Sequence, residues 1–247
     1  MNFGIKTAFC LGLAMATPGL ANAQQSDWSY EASIYLFTPE TNTTIATPSR
    51  TLNATLSFSD ALENLDIAFM GAFGASNGQW SFIADYMLTD ISFGNPTPGP
   101  AFSSLDTSVK TQIFNAYAAY RVYEAPTVAV DLGAGLRWYK TDTEMTLQPG
   151  ALPGGTTVAK GDWVDPLIAI RARFQFNEKW AGTAFADYGG FESGSDTWQV
   201  LLTADYALNE RWLLRGGYRY IEVNHAIDGA DYSFDQSGPI FGATYRF

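Results

Sequence analysis

The chain has 247 residues, 47% hydrophobic, 15% aromatic and only 16% charged, against the roughly 25% charged of soluble domains. This composition excludes a disordered chain, and the length suits one large domain or two small ones. A formal net charge of −11 opposes nucleic-acid binding, and a single cysteine excludes a disulfide framework or a thiolate metal cluster.

Residues 1–23 have the pattern of a secretory signal peptide. Lys6 supplies positive charge, Phe9 to Ala16 a short apolar run, and Ala21-Asn22-Ala23 the small residues that precede cleavage before Gln24. Gly12, Thr17 and Pro18 interrupt the run too early for a membrane helix, which needs about 20 mostly apolar residues. Cys10 lies inside it, so residues 24–247, read as one domain, contain no cysteine.

From Trp28 onward the dominant period is two. The first candidate strand sets Trp28, Tyr30, Ala32, Ile34 and Leu36 against Ser29, Glu31 and Ser33; the second sets Leu65, Ile67, Phe69 and Phe73 against Asp66, Ala68, Met70 and Ala72. Trp80–Leu88, Phe114–Val122, Val128–Trp138, Val164–Phe176, Trp180–Tyr188, Trp198–Leu208, Trp212–Tyr220 and Phe241–Phe247 continue the alternation. These are ten candidate strands, most of at least nine residues, close to the 9–11 that cross hydrocarbon when tilted. A surface hairpin hidden between Thr43 and Phe58 would change the count, so eight and twelve strands are the alternatives. In the same region, Ser57, Asp60 and Glu63 are spaced for helix capping, which predicts either one helical turn at the barrel mouth or an irregular loop.

Short connections at 77–79, 124–126, 177–179 and 209–211 alternate with longer ones rich in Gly, Pro and Thr, including 39–50, 94–106 and 145–160. Short turns on one side and long loops on the other characterise outer-membrane barrels, with the short turns in the periplasm. The fold expected is therefore all-β, a closed antiparallel transmembrane barrel. In lipid, unpaired backbone groups cost several kcal/mol, so such a sheet must close and turn its apolar face outward.

The opposite parity then lines the lumen. It carries Glu31, Asp66, Asp85, Asp131, Asp165, Asp187 and Asp205 together with Arg121, Arg137, Arg171, Arg173, Arg215, Arg219 and Arg246, an expected charge network. Arginine suits such a network because its planar fork can hold two carboxylates and stays charged. Trp28, Trp80, Trp180 and Trp212 near the short turns, with Trp138, Trp163 and Trp198 toward the long loops, form two expected interface girdles. A soluble barrel or sandwich with the apolar face inward would concentrate its tryptophans mid-strand.

Phe241, Tyr245 and Phe247 place aromatics on alternate positions of the last strand. That ending resembles the assembly signal by which Gram-negative outer-membrane proteins are inserted by the barrel-assembly machinery. Together with Tyr35-Leu36-Phe37-Thr38-Pro39, Ser57 to Asp66, Asp162-Trp163-Val164-Asp165-Pro166, Gly194 to Gln199 and Gly217-Tyr218-Arg219-Tyr220, it makes the chain resemble an uncharacterised family of Gram-negative outer-membrane beta-barrel proteins, hypothetical and porin-like. The resemblance implies location in the bacterial outer membrane, with membrane lipid and the assembly machinery as partners, and implies no activity.

Fourteen ionisable groups in a narrow lumen predict a plugged or tight structural barrel with its charges paired. The alternative is a small porin-like channel, with Arg171, Arg173, Arg215 and Arg219 as an anion ladder that Asp131, Asp165, Asp187 and Asp205 do not neutralise. Adhesion or ligand recognition by the long loops ranks lower. So does a rim lipid hydrolase built on His225, the only histidine, near Asp228, Asp231, Ser233 and Ser237. No local spacing supplies a nucleophilic serine, no ligand pattern points to a metal, and no cofactor is expected.

Overall fold

The computed structural model describes residues 28–47, 50–227 and 230–247; the expected leader, 1–23, and Asp228 lie outside them. The alternating sequence forms strands β1 (Ser29–Phe37), β2 (Glu40–Thr47) and β3 (Arg50–Leu56), then the short helix α1 (Phe58–Glu63). Next come β4 (Leu65–Ser76), β5 (Trp80–Pro96), β6 (Phe102–Ala125), β7 (Val128–Pro149) and β8 (Gly155–Gln175). The chain ends with β9 (Trp180–Glu192), β10 (Ser195–Ala207), β11 (Trp212–Ile227) and β12 (Ala230–Arg246).

Among the described residues, all twelve strands belong to one antiparallel sheet, and β1 pairs with both β4 and β12, so the sheet returns on itself as a ring. Ten strands make that ring; β2 and β3 are a hairpin that continues it on the far part of β12. The line of β1 and β2 breaks at Thr38-Pro39, where proline has no N–H to donate; Thr38 still donates its N–H to the Pro239 carbonyl at 3.0 Å. The hairpin occupies the segment, 43–58, in which the strand count was open from sequence alone.

The connections differ from expectation at one end. Much of 94–106 and 145–160 is strand, because the ladders β5–β6, β6–β7 and β7–β8 continue through both segments, and β6 reaches 24 residues and β7 22. What remains of these loops is the two tips at 97–101 and 150–154, which bond to each other through Ala151 N–H to Pro100 O at 2.7 Å and Leu152 N–H to Ala101 O at 2.9 Å. The segment 39–50 is likewise mainly β2. Ser57 caps α1 by accepting the Asp60 N–H at 3.2 Å, yet the helix buries no residue and so plugs nothing.

Three of the short turns share a device that sequence reasoning missed. The side-chain oxygens of Asn77, Asn177 and Asn209 each accept the N–H groups two and three residues on, and the third residue is Trp80, Trp180 or Trp212. Each Asx turn thereby starts the next strand on a tryptophan that lies about half exposed on the outer face.

The outer face carries Ile34, Phe69, Phe73, Phe82, Leu132, Ile168, Leu202, Leu214 and Phe241, all exposed. The packed core lies inside the ring. Toward the hairpin end it is apolar, built from Phe37, Met70, Met87, Ile113, Tyr139, Ile221, Val223, Phe234 and Ile240; a smaller cluster joins Tyr117, Leu167 and Phe185. These side chains share the parity of the inward charges, so the interior is not lined by polar groups alone.

Close strand approach depends on glycine at several inward positions. A Cβ added to Gly189 would lie 2.0 Å from the Pro166 carbonyl oxygen, so the β8–β9 pair would have to separate. Gly189→Ala is expected to cost about 1–3 kcal/mol, as overpacking does; urea unfolding of the refolded protein checks this, and an unchanged midpoint would show that the ladder yields there.

Candidate functional site

The inward polar residues meet in a closed hydrogen-bonded circuit. Arg137 donates from Nε to Asn115 Oδ1 at 2.7 Å, and Asn115 donates to Asp85 Oδ2 at 3.2 Å. Arg219 donates from Nη2 to the same Asp85 oxygen at 2.9 Å and from Nε to Gln199 Oε1 at 2.6 Å. Gln199 then donates to Asp187 Oδ2 at 2.9 Å, and Arg137 Nη2 closes the circuit on both Asp187 oxygens at 3.0 and 2.9 Å. Six side chains from β5, β6, β7, β9, β10 and β11 are joined in this way.

Tyrosines and one threonine complete the circuit. Tyr117 donates to Asp187 at 2.8 Å, Tyr35 donates to Asp85, Arg219 Nη1 reaches the Tyr35 hydroxyl at 3.2 Å, and Arg137 Nη1 reaches Thr197. Both arginines are within 2% of complete burial. A buried charge is tolerated only when paired and fully hydrogen-bonded, and here Asp187 accepts four hydrogen bonds, about the capacity of a carboxylate.

A second group lies toward the short-turn end, around Asp131. Arg121 Nε donates to its Oδ1 at 2.5 Å, Arg171 Nε and Nη2 donate to Oδ2 at 2.9 and 2.7 Å, and Arg173 Nη2 stands 3.4 Å from Oδ2. Arg121 also meets the exposed Glu124 at 2.9 Å. Arg215 holds Asp205 through two bonds of 2.6 and 3.1 Å. Of the residues expected to form an anion ladder, Arg171, Arg215 and Arg219 are hydrogen-bonded to Asp131, Asp205 and Asp85, whereas Arg173 has only the long 3.4 Å contact with Asp131.

Four expected members sit apart from these groups. Asp165 is buried but accepts from the Trp163 indole at 3.1 Å rather than from an arginine. Glu31 and Arg246 line the cavity at the short-turn end. Asp66 is exposed because it falls in the irregularity where β4 shifts register against β5, which breaks the parity that assigned it inward.

The tryptophans divide similarly. Trp80, Trp180 and Trp212 are exposed on the outer face. Trp28 stacks on Phe82, Trp138 donates to Asp162 at 2.8 Å, and Trp198 stacks on Tyr220 and donates to Glu222 at 3.1 Å. Trp163 is the exception: it shares parity with Asp165, packs against the interior apolar cluster and stacks on His225 with ring centres 4.3 Å apart. It belongs to the interior, not to an outer girdle.

His225 has a serine partner, though neither Ser233 nor Ser237. Register places Ser195 of β10 opposite it, with Ser195 Oγ 2.7 Å from His225 Nδ1. The imidazole is thus held by one hydroxyl and one indole face, as a packed polar side chain is. Among the described residues no group of three or more His, Cys, Asp or Glu side chains is placed to hold a metal ion.

The neutral links of the circuit, Asn115, Gln199, Thr197, Tyr35 and Tyr117, lie outside the charge network expected from the sequence. The signal for them was parity, since each alternates in step with an inward charge on its own or the neighbouring strand.

No family model matches the chain, and no curated protein sequence matches it. Solved structures do show similarity. The translocator domain of the autotransporter NalP from Neisseria meningitidis is 14% identical with a TM-score of 0.40, covering 91% of this chain and 90% of that one. Neisserial surface protein A is 14% identical with a TM-score of 0.33, covering 90% and 98%. The Pseudomonas putida toluene transporter TodX is 9% identical with a TM-score of 0.36, covering 90% of each chain. The resemblance is a loose one.

Removing one buried partner isolates its effect. Arg137→Met strands Asp187 and is expected to cost about 3–5 kcal/mol, whereas Arg137→Met combined with Asp187→Leu recovers most of that loss. Denaturant titration of both variants checks this; equal stabilities for the single and double variants would contradict the pairing.

Proposed function

We propose that this chain is an integral barrel of the bacterial outer membrane whose interior is closed, so that its role is structural rather than conductive. Two features support the membrane. The ring exposes large apolar side chains outward while it buries arginine and aspartate inward, an inversion that lowers free energy only where hydrocarbon surrounds the wall. The expected signal peptide at 1–23 and the terminal Phe241, Tyr245 and Phe247 fit export and insertion by the barrel-assembly machinery. In this reading the ten ring strands cross the membrane, the Asx turns with Trp80, Trp180 and Trp212 lie at the periplasmic interface, and the extended hairpins lie outside.

The closed circuit of Arg137, Asn115, Asp85, Arg219, Gln199 and Asp187 carries the second half of the reading. Its donors and acceptors are spent on one another, and the apolar cluster around Phe37, Ile113 and Tyr139 fills the interior beyond it. An ion crossing this section would have to replace charge-assisted hydrogen bonds between buried groups.

Planar-bilayer recording tests the closure. Purified wild-type protein is expected to give no resolvable current steps, and a stable open level in the unaltered protein would favour the porin-like channel instead. Lipid exposure has its own test: Leu202→Arg, on the outer face, is expected to cost about 2–4 kcal/mol in vesicle refolding, as for a charge at mid-bilayer. A wild-type free energy would contradict the outward assignment.

A further inference from the structure

Below the circuit the ring opens at its short-turn end into a cavity of about 800 Å³. That volume falls within the range of small-molecule pockets; its wall carries Glu31, Asp85, Asp205 and Glu210 as well as arginines, and guanidinium groups outnumber carboxylates only locally, around Asp131. Arg121, Arg171 and Arg173 converge on the single carboxylate of Asp131, which is fully buried. Three of the roughly four acceptor positions of that carboxylate are taken at 2.5–2.9 Å by Arg121 and Arg171. Arg173 is left with the long 3.4 Å contact, and its Nε is buried without a hydrogen-bond partner among the described residues. Among the described residues, the other acid bonded to this trio is Glu124, which is largely exposed and reaches Arg121 alone.

The Arg173 side chain is 37% exposed although its Nε is not, so an oxyanion that draws the guanidinium toward the cavity would recover the free energy that an unpaired buried N–H costs. Nε and Nη2 of one guanidinium form a fork that matches two oxygens of one carboxylate or phosphate. The same cavity is also lined by Ile83, Phe185 and Leu201, apolar side chains suited to a nonpolar body. We propose that this blind vestibule binds a small organic anion, a carboxylate or phosphate ester carrying a compact apolar group, with Arg173 as the residue that receives the anionic end. The outer-membrane reading enters only in setting the compartment, the periplasm, to which the site opens.

Calorimetric titration of the full-length barrel in a zwitterionic detergent tests this without a membrane, so failure here is separable from failure of the outer-membrane reading. The probes are benzoate and phenyl phosphate, with acetate and inorganic phosphate as counterparts lacking the apolar body. Saturable binding of benzoate or phenyl phosphate is expected, at least tenfold tighter than its counterpart and weakened at least tenfold by Arg173→Gln. The two aromatic probes, compared with each other, tell a carboxylate preference from a phosphate one. No saturable binding, or affinity that Arg173→Gln leaves unchanged, would overturn the site; counterparts that bind as tightly as the aromatic probes would overturn the apolar subsite. If Arg173→Gln fails to fold, Arg173→Lys replaces it: the charge stays but the fork is lost, and unchanged affinity overturns the assignment of Arg173.

Discussion

A side chain turned into a closed ring of strands must find its partner inside that ring. Buried Arg137 and Arg219 would each cost several kcal/mol if left unpaired, and the interior is organised around meeting that demand. Each arginine spreads its N–H groups over at least one carboxylate and one neutral acceptor, Asn115 and Thr197 for Arg137 and Gln199 for Arg219. The neutral amides relay the bonding between the charged pairs, which turns separate ion pairs into one circuit. Such networks are worth keeping only when every member is satisfied, because a half-paired network is worse than an apolar filling.

The same demand explains the division of the interior. Where arginines and acids match, as in the circuit, the section is closed. Beyond it toward the hairpins the inward parity carries Met70, Met87, Ile113 and Ile221, and the space is filled by packing without charge. Toward the short turns the charges remain but the side chains no longer meet across the ring, and the cavity with its excess of guanidinium around Asp131 is the result.

Parity was legible in the sequence because strand geometry sends alternate residues to opposite faces whatever their identity. Asp131, Arg137, Asp187 and Arg219 could therefore be assigned inward from spacing alone, and the β2–β3 hairpin was anticipated as an ambiguity at 43–58. Parity fails where the ladder slips, and Asp66 sits at such a slip. Trp163 was assigned by residue type against its own parity, and its packing follows the parity. Partner choice was not legible, since Arg219 meets Asp85 from across the ring, 134 positions away, and no local pattern encodes that contact. Nor was strand length: the Thr-rich stretches after Phe102 and around Met145 read equally as solvated loop or as ladder, and long-range pairing decides between them.

Sidedness is set strand by strand, with Leu202 outside and Leu201 inside on β10. Residues 24–247 lack cysteine, so Leu201→Cys and Leu202→Cys can each carry a single fluorophore in protein refolded into vesicles of brominated lipid. Strong quenching at position 202 with little at 201 is the predicted result. Equal quenching at the two positions, or the reverse order, would contradict it.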